Sequence, residues 1–111
     1  MSKIVTLKNF NEFDNVYKNG RSLADKNLVI YIMKNSLPYN RYGFSVSKKV
    51  GNSVVRHRVT RLIRESIRLS GHMFNSGLDI LVIARNSVKD KKFEDVDASI
   101  TGIMKRHGAI S

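Results

Sequence analysis

The stretch from about Ser53 to Leu69 does most to limit what this chain can fold into. At about 100° per residue, it reads as a helix that gathers Val55, Val59, Leu62, Ile63, Ser66 and Leu69 on one face, with Ile67 at the edge. His57, Arg61, Arg64 and Arg68 gather on the opposite face, and Arg56 and Arg58 flank it. One side must therefore be covered by an apolar layer, and the other must stay open to solvent or to an anion. The rest of the chain reads as a scaffold that holds this helix against a sheet.

The charge is concentrated in the same region. From Ser45 to Arg68, Lys48, Lys49, Arg56, Arg58, Arg61, Arg64 and Arg68 face a single acid, Glu65, within a chain of formal net charge +11. A solvated helix face usually mixes signs, because like charges one turn apart repel by a few tenths of a kcal/mol. Here five arginines fall between Arg56 and Arg68, and guanidinium groups suit bidentate phosphate contact and stacking on bases. A polyanionic partner follows, with RNA or DNA ahead of an anionic membrane surface. Lys48, Lys49 and Gly51 form a basic turn before the helix, which reads either as a backbone-phosphate contact or as a plain solvated turn. It does not match the nucleotide-binding P-loop.

The other elements can be read in order. Asn9 and Glu12 resemble a capping box for a short helix over residues 9–19, with Phe10, Phe13, Val16 and Tyr17 at helical spacing and Gly20 as its stop. Arg21–Ala24 is a candidate brief strand. Leu28–Met33 is a clear strand with apolar residues on both faces, as expected for a central strand covered on both sides. Residues 35–40 hold the only proline and form a loop. Tyr42–Ser47 alternates, with Tyr42, Phe44 and Val46 on one face and Gly43, Ser45 and Ser47 on the other. Leu78–Ala84 is another apolar strand. A last helix carries Phe93, Val96, Ile100, Ile103 and Met104 as its buried stripe, places Lys105, Arg106 and His107 at its negative end, and stops at Gly108. The order is helix, two or three strands, helix, strand, helix: an α/β sandwich in one domain over residues 1–111, with no internal repeat or linker.

Several classes of chemistry have no footing. There are no cysteines, so disulfides, thiolate metal sites and cysteine nucleophiles are excluded. His57, His72 and His107 lack ligand spacing. Asp14, Asp79, Asp90, Asp95 and Asp97 form no paired-acid motif for metal-assisted hydrolysis, and Asp95 and Asp97 read as solvated helix residues. The first nine residues have no apolar core of a signal peptide, and the longest apolar runs fall far short of a membrane span, so the expected location is the cytoplasm. Phe13, Tyr17 and Tyr31 have two readings: ordinary core aromatics, or a platform for single-stranded bases beside the serine-lined strand face.

At Lys48–Glu65 the sequence resembles the protein subunit of bacterial ribonuclease P. That family has a strand ending S-V-S-K-K, a G-N-A turn, and an arginine-rich helix built on R-N-R, a basic-R pair and R-E. The counterparts here are Ser45-Val-Ser-Lys-Lys49, Gly51-Asn52-Ser53, Arg56-His57-Arg58, Thr60-Arg61 and Arg64-Glu65. The resemblance extends to Phe13–Gly20, Tyr31 and Asp79–Arg85 and so spans nearly the whole chain. It implies three helices on a sheet of about four strands, in the order α-β-β-β-α-β-α, as a two-layer, ribosomal-protein-like domain. It also implies a left-handed β-α-β crossover around the arginine helix, where chain physics alone favours a right-handed one.

The resemblance further implies an endoribonuclease subunit that assists removal of the 5′ leader from precursor tRNA, a phosphodiester hydrolysis leaving a 5′-phosphate. The catalyst is the RNA subunit, acting with magnesium. Matched positions put Lys48, Lys49, Asn52, Arg56, His57, Arg58, Arg61, Arg64 and Arg68 against the catalytic RNA. They put Phe13, Tyr17, Tyr31, Ser45 and Ser47 along a cleft for the leader. Metal ions bind near that cleft in the family, but no ligands can be assigned here. His57 stands where the family has asparagine, Thr60 where a basic residue is common, and Ser53 where alanine is usual, with Ser53 expected to cap the helix.

Two rival readings share the basic face. One is a ribosomal or assembly protein that binds folded RNA without any enzyme. The other is a DNA-binding module using the Arg56–Arg68 helix in a major groove, for which the ridge offers few uncharged base-reading residues.

Overall fold

The computed structural model describes residues 4–110. Its elements are α1 (Phe10–Asn19), β1 (Arg21–Ala24), β2 (Leu28–Lys34), β3 (Arg41–Ser45), α2 (Ser53–Ser70), β4 (Leu78–Ala84) and α3 (Phe93–Arg106). The order is therefore α-β-β-β-α-β-α. One mixed sheet runs β1-β2-β4-β3. The pairs β1/β2 and β2/β4 are antiparallel, while β3 and β4 are parallel and joined through α2. The chain before α1 runs beside β3, with Thr6 bridging Tyr42.

The register separates the two faces of the sheet. Leu28, Ile30 and Ile32 stand in rows with Ala84, Val82 and Ile80, and Tyr42 and Phe44 continue two of those rows. This face packs against α2 and α3, so Val59, Ile63, Ile67, Val96, Ile100, Ile103 and Met104 share one core with the strands. Burying this apolar surface is the main stabilising term. The other face carries Val29, Tyr31 and Met33 opposite Ile83, Leu81 and Asp79, continued by Ser45, Gly43 and Arg41. Helix α1 crosses only part of it: Phe13 packs over Gly43, and Tyr17 meets Tyr31. As expected, β2 is an interior strand with apolar contacts on both sides.

Helix α1 is pinned by charge as well as packing. Asn9 caps it by accepting from the Glu12 amide at 2.9 Å, and the Glu12 carboxylate reaches back to the Lys8 amide at 2.6 Å. Glu12 also accepts from Arg41 at 2.9 Å, while Arg41 makes a two-pronged pair with Asp79 at 2.8 and 2.7 Å. Asp79 is buried, and the pairing raises the Arg41 pKa. At the end of α1, Gly20 has an ordinary extended φ, but a Cβ there would lie 2.5 Å from the Val16 carbonyl. The glycine is needed for close approach, not for unusual torsions.

Four local expectations are corrected. Strand β3 ends at Ser45, so Ser47 lies beyond it in an exposed, non-strand segment. The buried face of α2 is rotated toward Ile67, which is buried, and away from Leu69, which is exposed. Asp97 is not a solvated acid: it accepts from Ser66 at 2.6 Å and Ser70 at 3.1 Å, bridging α3 to α2. His107 is buried at the end of α3, where desolvation lowers its pKa, so it does not serve as a cation on the helix dipole. Lys105 and Arg106 remain exposed there, and Gly108 takes φ 74°, the left-handed turn that stops the helix.

Candidate nucleic-acid interface

The arginine helix begins where β3 hands the chain to a tight basic turn. The Val50 amide donates to the Ser47 carbonyl at 3.0 Å, leaving Lys48 and Lys49 exposed at the corner while Val50 is buried. Gly51 allows the tight entry, since a Cβ there would meet the Val55 side chain at 2.7 Å. The cap is Asn52 rather than Ser53: its side-chain oxygen accepts from the Val55 amide at 3.0 Å. Asn52 is thus committed locally to orienting the first turn of α2.

The ridge is present as a surface. His57, Arg61 and Arg64 are exposed, and Arg68 is half-exposed at the far end. Among the described residues, Lys48, Lys49, Arg56, Arg61 and Arg64 form no ion pair with an acid. Arg68 does: it donates to both oxygens of Glu65, at 2.9 and 2.6 Å. That bond lowers the Glu65 pKa and raises that of Arg68. Arg64 lies 5.3 Å from the centroid of the Phe44 ring, so its charge rests on an aromatic face.

The flanking arginines do different work. Arg58 donates to the backbone carbonyls of Lys89 and Lys91, at 3.0 and 2.7 Å, and so ties α2 to the loop leading into α3. Arg56 is half-buried, and its Nε has no partner among the described residues. Thr60 donates to the Arg56 carbonyl at 2.9 Å, a bond within the helix. Of the cations assigned to one RNA-facing surface, Lys48, Lys49, Arg61 and Arg64 are the freest.

A second surface lies on the opposite face of the sheet. Phe13 is half-buried over Gly43, Tyr17 is half-exposed, and the Tyr17 and Tyr31 rings lie 5.2 Å apart with planes inclined by 39°. The next row, Val29–Ile83–Ser45, is half-buried and continues the floor beyond the aromatics. Phe13, Tyr17, Tyr31 and Ser45 therefore lie on one face of the sheet, and the chain leaves the Ser45 end of that face toward Ser47 and the lysine turn. The aliphatic floor of that face, Val29 and Ile83, escaped sequence reasoning because apolar strand residues look like core until the extent of α1 is known. Phe44 beneath Arg64 was missed for a similar reason.

Among the described residues no three His, Asp or Glu side chains converge where they could hold a metal ion, so these residues offer no ready-made magnesium site. No helix of the described residues is long and apolar enough to cross a membrane.

A basic helix crossing over between parallel strands, with an aromatic pair on the opposite face of the sheet, is the architecture of a known class. The family model for ribonuclease P matches residues 1–108. The ribonuclease P protein component of Lachnoclostridium phytofermentans is 55% identical over 106 residues, covering 96% of this chain and 91% of its own. That of Clostridioides difficile is 52% identical over 101 residues, covering 90% and 89%. Among solved structures, the Staphylococcus aureus RNase P protein superposes with a TM-score of 0.88 at 33% identity, covering 98% of this chain and 100% of that one. The Thermotoga maritima RNase P protein gives 0.84 at 28% identity, covering 91% and 96%. The chain belongs to the ribonuclease P protein family.

Proposed function

We propose that this chain is the protein subunit of ribonuclease P, and that it binds the enzyme's catalytic RNA and the 5′ leader of precursor tRNA. The observation that carries the first half is the ridge on α2. Arg61 and Arg64 are exposed, unpaired with acids, and held on a helix whose other face is locked into the core. Such a row screens phosphate repulsion and binds more weakly as salt rises. The second half rests on the cleft, where Tyr17 and Tyr31 offer rings to unstacked bases and Ser45 a small hydroxyl.

In this reading the RNA carries the hydrolysis, with magnesium at its phosphates, and none of Lys48, Arg61, Tyr17 or Tyr31 reacts. The protein holds the leader extended and raises affinity for a substrate the RNA alone holds poorly. The protein acts in the cytoplasm, and DNA is not an expected partner. Reconstitution with ribonuclease P RNA at low magnesium tests it: the protein should increase precursor-tRNA cleavage, and no gain would sink the proposal. Competition between structured RNA and duplex DNA for the protein separates it from a DNA-binding module.

A further inference from the structure

At the C-terminal end of the ridge, on the face away from the aromatic cleft, there is a cavity of about 310 Å³. It lies where the segment before α1, the loop between β2 and β3, and the end of α2 meet. Tyr42, Ile67 and Phe74 form a buried apolar base. Tyr39, Arg68 and His72 stand at the rim, with Tyr39 45% exposed. The neighbouring groove is lined by Ile4, Arg61, Arg64, Arg68 and the acid Glu65, which pairs with Arg68, and it shares Arg68 and Ile4 with the cavity, so the two surfaces are continuous.

We propose that this cavity takes one unstacked nucleobase of the RNA held by α2, a proposal that rests on the RNA-binding reading of the ridge. The lining suits a flat heterocycle better than a plain aliphatic group. The Tyr39 ring and the His72 imidazole offer stacking surfaces at the rim, and the imidazole also offers a hydrogen bond to a base edge, while the Arg68 guanidinium, held by Glu65, presents its plane. The base is apolar, so a stacked ring leaves water on entry. The adjoining cations neutralise the phosphates that bring the base to the rim.

Gly71 borders the same cavity and gives a position from which to fill it. It sits in ordinary right-handed helical torsions, φ −62° and ψ −23°, so its backbone does not require glycine. A Cβ there would lie 3.4 Å from the Tyr42 hydroxyl oxygen, an ordinary contact directed into the cavity wall.

The test compares Tyr39→Ala, Gly71→Leu and the Arg61→Ala/Arg64→Ala pair for affinity to ribonuclease P RNA, with chemical footprinting of the bases and a thermal melt of each protein. Tyr39→Ala, in an exposed loop, keeps the test valid if Gly71→Leu disturbs folding. Loss of one stacked base should weaken binding about tenfold and expose the same single base in both cavity variants. Weakening by the arginine pair, with unchanged affinity and footprint in the cavity variants, would overturn the cavity proposal alone. Full affinity in the arginine pair would overturn the RNA reading of the ridge, and the cavity proposal with it.

Discussion

The rings of Tyr17 on α1 and Tyr31 on β2 meet at 5.2 Å across the open part of the sheet, and Tyr17 remains 52% exposed. A pair serving only as core would not leave so much of one ring in water. Tyr17→Ala should lower affinity for leader-bearing precursor tRNA about tenfold, the cost of one lost base stack, with little change for mature tRNA. Equal losses for the two RNAs would mark the pair as scaffold.

Arg61 and Arg64 lie on the exposed side of a helix anchored by Val59, Ile63 and Ile67. Arg61→Ala with Arg64→Ala should leave the thermal melt nearly unchanged. The salt dependence of RNA binding should become shallower by about two counterions, one for each phosphate contact removed. Filter binding across a salt series measures this directly.

Arg58 spans two carbonyls, those of Lys89 and Lys91. Arg58→Ala should therefore reduce stability as well as RNA affinity, by about 1 kcal/mol in urea unfolding. Arg58→Lys should recover charge but little stability, because an ammonium lacks the planar fork that reaches both acceptors. A fully stable Arg58→Ala protein would show that this tether is dispensable.

Arg41 holds the buried Asp79 and the Glu12 carboxylate of α1. Arg41→Met would leave buried Asp79 without its two-pronged partner, with only the Asn35 amide still donating to it, at a cost of about 3–5 kcal/mol. The same change should loosen α1 over the cleft, so leader affinity should fall more than affinity for the catalytic RNA. Urea unfolding and the two binding assays together check both parts.

His107 places Nε2 2.9 Å from the Ile30 carbonyl, while Nδ1 has no partner among the described residues. Burial lowers its pKa, and Arg21 and Arg106 push the same way, against the opposing effect of the Ile30 bond. The unfolded chain therefore binds more protons just below the ordinary histidine pKa of about 6.5. Stability should rise with pH through that window and level off above it. His107→Gln, which keeps an N–H for Ile30, should flatten this part of the curve in urea unfolding from about pH 5 to about pH 7.

Much of this protein can be read from local pattern. The Leu28–Met33 and Leu78–Ala84 strands, the Asn9 cap and the Gly108 stop all depend on neighbours within a turn or two and appear where local pattern puts them, as does the α2 stripe apart from its Leu69 edge. The family motif is equally local, since Lys48 to Glu65 is one continuous stretch. Ser53 and Leu69 show the limit of that reading. Asn52 and Ser53 are both good caps, and the choice depends on how tightly Gly51 turns the chain. Leu69 and Ile67 are both apolar, and the tilt of α2 on the sheet decided which was buried.

The ridge of His57, Arg61, Arg64 and Arg68 was visible from spacing alone, because helical geometry sets which residues share a face. The assignment of partners was not. Arg58 on the carbonyls before α3, Arg68 on Glu65, Arg64 over Phe44 and Asp97 between two serines differ in sequence separation and in chemistry, yet all look alike as charged residues on helices. Which cations remain free for RNA depends on where the folded chain brings carbonyls, acids and rings within reach of them. Periodicity specifies a direction from the helix axis, and only packing supplies what lies in that direction.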